Sequence, residues 1–437
     1  ALPIYLPDLP VSIQIGEISA DHIVLGPSVL GTGLEATLKA SMSLANGEGQ
    51  AGLLLQRTDA GPAGKIALTA SYANIGQKLA IDLAAEEAAG GIASTKLNLP
   101  GAPAISLTVK GAGPISDFAA AVGLTTDGVD RVAGTITLKG VSDGATRFAA
   151  DLAGDLAPLF LPSYAEFFGN AVTLKAQGQH WPDGRLALDD VAVTAKALDV
   201  KGALTLAADG LPQRISLNGR IAAPDGSPVL LPLTTDMPVK VGSADLTFDY
   251  DAAQDEGWRT DIAISGFDRA DFQASKLQLD GSGRIARVAG ARQVGGTFHY
   301  TAEGLQPSDA AVGRALGAVI WGDGSGYWRE GDGRFTVQKL ALFGEDYAAK
   351  FAGKIDGLGD AFAVTGQASA TLADLSRLSG VVGRPLAGAA QLAVTGTGSP
   401  ISGAFDVGAT ATGQDLQAGI AELDSALRGV ATIDASV

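Results

Sequence analysis

The chain has no cysteine and only two methionines, and aromatic residues occupy 6% and charged residues 18% of its 437 positions. The missing cysteine excludes disulfide frameworks, thiolate metal sites and cysteine nucleophiles, and it is compatible with any compartment. No stretch approaches the roughly 18 consecutive apolar residues that a membrane-spanning helix requires. Basic residues are scarce: 31 Lys and Arg stand against 47 Asp and Glu, a net charge of −16. That field repels phosphate backbones and anionic lipid surfaces, and no cluster of four Lys or Arg interrupts it. Nucleic acid binding and a polybasic membrane segment are therefore excluded. Hydrophobic residues nevertheless make up 46% of the chain, too much apolar surface for a disordered polymer. Glycine is abundant, at 59 positions, but too irregularly spaced for collagen.

What is present is period-two alternation of apolar and polar residues, repeated from end to end and closed by Gly or Asp-Gly, the pattern of half-buried strands. The apolar members are Ile105, Leu107 and Val109; Ile136 and Leu138; Val172 and Leu174; Leu204 and Leu206; Ile215 and Leu217; and Phe248. The pattern continues through Ile262 and Ile264, Leu277 and Leu279, Phe335 and Val337, Phe362 and Val364, and Leu392 and Val394. Helical spacing is confined to 155–169, 308–322 and 374–383, each opened by a capping Ser or Asp, closed by Gly and followed by strands. This recurrence divides the chain into four expected segments, 1–154, 155–307, 308–373 and 374–437, of a degenerate repeat array forming one continuous sheet. At roughly 12 residues per strand and turn, about 36 strands are expected. So few helices cannot cover so many strands, and the apolar face either closes on itself as a sandwich, solenoid or barrel, or holds something apolar.

Three stretches carry a resemblance. They are Leu6 to Ile18 with Leu25 to Gly31; Gly113 to Phe118 leading into Val132 to Leu138; and Asp374 through Gly388 with Leu392 to Thr397. Together they resemble the periplasmic part of TamB-type translocation and assembly proteins. The resemblance implies a mostly β, elongated and curved groove, kin to the AsmA-like and bridge-like lipid transfer proteins. It implies phospholipid as cargo between inner and outer membranes, an outer-membrane barrel-assembly partner, and a periplasmic location within a longer protein anchored in the inner membrane. The apolar members named above would then line the groove. The chain opens without an initiator Met or a signal-like segment and stops just after strand-like Ala431 to Asp434, so a piece truncated at both ends is expected. The alternative reading of the same alternation is a structural or adhesive β-solenoid, such as an autotransporter passenger, with a closed side-chain core.

No enzymatic function, cofactor or metal is expected. Gly140-Val141-Ser142-Asp143-Gly144 matches a nucleophile elbow, but the alternation that follows makes it a hairpin turn. Gly31-Thr32-Gly33 and Gly281-Ser282-Gly283 fit a loose dinucleotide fingerprint without a strand-to-helix crossover and read as turns. His22, His180 and His299 lie far apart in sequence, with His299 on the polar side of its strand. Asp323-Gly324-Ser325-Gly326, with Glu330 and Asp332, reads as an acidic loop without calcium-ligand spacing. Trp321, Tyr327 and Trp328 beside it are either anchors of a helix or a lip of the groove.

Overall fold

The computed structural model describes residues 13–27, 32–141, 144–160, 162–233, 237–288, 290–357, 363–399 and 403–436. The described residues are mostly β, 66% strand and 10% helix, and among them the antiparallel sheet is long and not closed into a barrel, with a few short helices. The contacts divide the chain into two units, 1–213 and 214–437.

The first unit runs β1 (Ile13–Leu25), β2 (Leu34–Ala45), β3 (Glu48–Arg57), β4 (Gly64–Ala73), β5 (Lys78–Glu87) and β6 (Ile105–Pro114). It continues with β7 (Asp117–Thr126), β8 (Val129–Gly140), β9 (Thr146–Gly154), β10 (Val172–His180), β11 (Leu186–Thr194) and β12 (Leu198–Leu206). Each strand from β1 to β12 pairs antiparallel with the next in sequence.

The second unit comprises β13 (Pro212–Ala222), a minor hairpin of β14 (Val229–Leu230) and β15 (Val239–Val241), β16 (Ser243–Asp251), β17 (Gly257–Arg269), β18 (Phe272–Val288) and β19 (Ala291–Glu303). After the two-residue β20 (Gln306–Pro307) follow β21 (Val319–Arg329), β22 (Arg334–Phe343), β23 (Tyr347–Asp356), β24 (Ala363–Leu372), β25 (Ala387–Ser399), β26 (Ala404–Gln417) and β27 (Val430–Ser436). The main ladder skips the minor strands, β13 pairing with β16 and β19 with β21.

The strands run longer than the roughly 12 residues per strand and turn suggested, up to 17 residues in β18. Twenty-seven strands therefore stand among the described residues in place of about 36.

Bulges lie where the hydrophobic alternation slips phase. In β11, Leu186 and Leu188 are even-numbered, whereas Val191 and Val193 are odd. Gln177 faces Asp190 and Gly178 faces Leu188, so Asp189 is the extra residue and all four apolar side chains stay on one face. In β22, Phe335 and Val337 give way to Leu340 and Leu342, and the register skips Gln338 to the same effect. A one-residue slip without the bulge would turn half of each strand's apolar residues to the polar side.

Helices are shorter than their patterns. Residues 155–169 form two 3-10 turns and the short helix Ala165–Phe168, because Pro158 and Pro162 interrupt the backbone ladder. Asp155 does accept the amide of Ala157, at 3.2 Å. The segment expected to be helical to Gly322 stops at Leu316, where Gly317 takes φ 76°, and Val319 to Gly322 belong to β21. Asp309 caps this helix through the amides of Ala311 and Val312, and Asp374 caps the turn that follows it through Ser376.

Two further expectations are corrected. Gly281-Ser282-Gly283 and Asp323-Gly324-Ser325-Gly326 are not turns; they lie inside β18 and β21. Their glycines leave room for aromatic rings from the next strands. A Cβ on Gly281 would lie 2.7 Å from the Phe298 ring, one on Gly283 2.7 Å from Trp258, and one on Gly326 2.9 Å from Phe335. Ser142, Asp143 and Gly31 lie outside the described residues.

Candidate functional site

Register makes each unit's apolar face a set of continuous rows. In the first unit one row crosses twelve strands as Ile18, Ala40, Leu53, Leu68, Leu83, Val109, Val122, Gly134, Leu152, Leu174, Val193 and Val200, without a polar residue. In the second unit a row runs from Gly219 and Leu246 through Ile262, Leu279, Tyr300 and Leu342 to Leu392 and Ile433, again unbroken by polar side chains. The opposite face of the first unit carries Thr69, Asp82, Lys110, Thr135, Asp151 and Lys175 in one row. Cross-strand ion pairs such as Lys110–Asp82 at 3.2 Å and Lys339–Asp323 at 2.6 Å decorate the polar faces. Exposed as most are, each is worth under about 1 kcal/mol.

Within each unit, every described residue named from the alternation falls on the apolar face: Ile105, Leu107, Val109, Ile136, Leu138, Val172, Leu174, Leu204 and Leu206 in the first, and Ile215, Leu217, Phe248, Ile262, Ile264, Leu277, Leu279, Phe335, Val337, Val364, Leu392 and Val394 in the second. Phe362 lies outside the described residues. Individual strands did not show the rows' other members, such as Leu53, Leu83 and Tyr300, as parts of one surface; knowing which residues face each other across strands is what joins them.

These faces are poorly covered. Met42, Leu53 and Ile66 in the first unit and Leu340, Leu392 and Ile433 in the second are each more than a third exposed. The chain exposes 24615 Å². Two compact bodies of half its mass each would expose about 19,000 Å². Apolar clefts of about 290 Å³, lined by Leu34, Leu55, Ile66, Ile105 and Leu107, and about 300 Å³, lined by Leu340, Leu342, Phe351, Leu392 and Val394, indent the two faces.

The second unit supplies its own partial cover. Trp258 is 7% exposed; its ring lies over Gly283 and Gly296, its Nε1 donates to the carbonyl of Gly295 at 3.2 Å, and Phe298 and Phe248 flank it at 5.4 and 6.3 Å between centroids. Tyr300 lies over Gly322 and donates to the carbonyl of Ala341 at 2.8 Å. Burial pushes the phenols of Tyr250, Tyr300 and Tyr347 above their usual range, with nearby carboxylates adding to the effect on Tyr250 and Tyr300. Trp321, Tyr327 and Trp328 stand on β21 rather than beside a helix, and Trp321 stacks on Phe343 at 6.1 Å.

Several titratable groups make structural contacts. Arg377 pairs with Asp346 and donates to the carbonyls of Arg314 and Ala315 at the end of the helix Ala310–Leu316, where a cation complements the helix dipole. His22 lies 3.2 Å from Glu35, and His299 is exposed on the polar face between Asp280 and Asp323. Among the described residues no three His, Asp or Glu side chains converge as metal ligands. No protein-family model, curated protein or solved structure matches this chain.

Proposed function

We propose that the chain is a conduit for phospholipid, acting in the periplasm between inner and outer membranes as part of a longer, membrane-anchored protein of the TamB type. In this role it supports outer-membrane biogenesis, and its contacts with an outer-membrane barrel-assembly partner lie outside this segment. The observation that carries the reading is the pair of apolar faces whose rows cross twelve strands without interruption and stay part-exposed.

The physical case is one of solvation. Two sixteen-carbon acyl chains contain roughly 30 methylenes, and at about 0.8 kcal/mol each their exposure to water costs about 25 kcal/mol. An apolar row removes that cost wherever the chain rests, with no specific contact required. A carrier of this kind therefore needs continuity, which the registers of each unit supply, rather than a shaped pocket.

The adhesive β-solenoid is disfavoured on two counts. It stacks parallel rungs, whereas every strand pairing named above is antiparallel, and it fills its interior with its own side chains, whereas Leu53 and Leu392 remain 37% and 38% exposed.

The test is an organic extract of the purified chain, analysed by mass spectrometry, together with transfer of a fluorescent phospholipid from vesicles. Co-purifying phospholipid and protection of the fluorophore from water are expected. A chain that carries no lipid and leaves the fluorophore in water contradicts the proposal.

A further inference from the structure

The hairpin joining β18 to β19 departs from the charge of the rest of the chain. Residues 281–298 contain Arg284, Arg287 and Arg292 and no Asp or Glu, in a protein of net charge −16. Arg284 is engaged by the adjoining turn, donating to the carbonyl of Asp255 at 2.8 Å and lying 3.9 Å from Glu256.

Arg287 and Arg292 are directly opposite each other across the hairpin. They occupy the position that follows Ile285 and Val294 on the same face. Ile285 and Val294 begin an apolar row that continues through Trp328, Phe335, Ile355 and Val364. The second unit's apolar face thus ends in two guanidinium groups, with Val294 exposed beside them at 38%.

Like charges placed directly opposite on antiparallel strands destabilise the pairing. Among the described residues Glu330 is the carboxylate that pairs with them. Arg292 donates to Glu330 through Nε, at 3.1 Å, and Nη2, at 3.0 Å, and those hydrogen bonds hold the Glu330 carboxyl below its usual range, with Arg287 adding a smaller pull. Arg287 forms no ion pair among the described residues. Among the described residues, the Arg287 charge thus stands without an ion-pair partner where the apolar surface meets water.

We infer that Arg287 and Arg292 form a headgroup subsite that takes the phosphate of an amphiphile whose acyl chains lie along the row from Ile285 and Val294 to Val364. The guanidinium fork matches two phosphate oxygens, and an anion between the strands offsets the repulsion of the two arginines. This rests on the conduit reading and adds to it a class of cargo: a phosphate-bearing lipid in preference to an uncharged one. The subsite is solvent-exposed, so its contribution is screened by salt.

The test compares uptake of dioleoyl phosphatidylglycerol and dioleoylglycerol, which share acyl chains, by the full chain at low ionic strength, quantified by mass spectrometry. Inorganic phosphate is a third arm. The wild-type chain is expected to favour the phospholipid about fivefold, the scale of one exposed charge-assisted contact. Arg287→Gln is expected to bring the ratio near one with diacylglycerol uptake unchanged, Arg287→Lys to give an intermediate ratio, and Arg147→Gln on the first unit to have no effect. A wild-type preference that survives Arg287→Gln overturns the subsite and leaves the conduit standing. Full displacement of the phospholipid by inorganic phosphate overturns its assignment to lipid. Failure of the wild-type chain to take up either lipid overturns the conduit and the subsite together.

Discussion

The two units solve one problem in different ways. Both present a one-sided antiparallel sheet, yet the first unit's apolar rows are mainly aliphatic, with Phe118 over Gly111 and Phe148 over Gly178, while the second lays a larger set of aromatic rings, Trp258, Phe298, Tyr300 and Phe335 among them, over glycines of neighbouring strands. Sixteen of the 25 aromatic residues fall in 214–437. Trp258, Tyr250 and Tyr300 there spend their polar tips on backbone carbonyls, so ring and backbone lock together. In the first unit Leu53, Leu68 and Leu83 stand side by side with no such cover. The aliphatic face resembles a liquid surface on which an acyl chain can slide, and the aromatic face is a firmer one that gains its own stability from the rings.

That contrast predicts where substitutions hurt. Trp258→Ala should cost the second unit roughly 3–5 kcal/mol by removing a buried ring and the packing around it, and hydrogen exchange resolved along the chain should show the loss confined to 214–437. Equal loss of protection in both units would break the comparison. Gly296→Ala comes next, at about 2 kcal/mol, because its Cβ would sit 2.3 Å from the Trp258 ring and 2.7 Å from the carbonyl oxygen of Ser282; urea unfolding followed by tryptophan fluorescence measures it. In the first unit, Leu53→Ala should cost under about 1 kcal/mol, since that side chain is already 37% exposed, whereas Leu53→Asp should reduce lipid uptake severalfold with little change in the unfolding midpoint.

Two smaller effects depend on pH. The phenols of Tyr250, Tyr300 and Tyr347 have folded pKa values raised above the usual 10.0, so the stability they bring is present below that pH and lost as pH rises through their folded values. All three belong to the second unit, which should therefore unfold first in alkali, with tyrosinate absorbance rising in step. At the acid end Asp59, Asp183, Asp271 and Asp374 have lowered pKa values, chiefly through hydrogen bonds from backbone amides, Arg269 or Ser376. Their contribution is present above the ordinary carboxylate range and fades as pH falls through the folded values. Because these groups are exposed, only a slight loss shared by both units should appear in acid denaturation curves.

Much of this architecture is written along single strands. Alternation such as Ile105 to Val109 marks a one-faced strand, whereas the bulges at Asp189 and Gln338 emerge only from the register. What lies between strands was hidden. Glycine at 281, 283, 324 and 326 looked like turn punctuation, because nothing near it in sequence indicates that Phe298, Trp258 or Phe335 occupies the space where a side chain would go. The Arg287–Arg292 juxtaposition, and the union of separate strands into rows twelve residues long, likewise require knowing which residue faces which. The short helices were legible near their starts, with Asp374 capping as expected and Asp309 capping in place of the neighbouring Ser308, and their lengths differ where Pro158 and Gly317 stop them.

The most direct test of the central claim exploits the absence of cysteine, since any single introduced thiol is unique. Cysteines at Leu53, Leu83, Ile262 and Leu392 on the rows, and at Thr69, Asp82, Asp261 and Gln391 on the polar faces, can each carry a photo-crosslinker while the chain takes up phospholipid from vesicles. The account predicts acyl-chain cross-links at the four row positions and none at the four polar ones. Equal labelling of both faces, or labelling of the polar face alone, would contradict it.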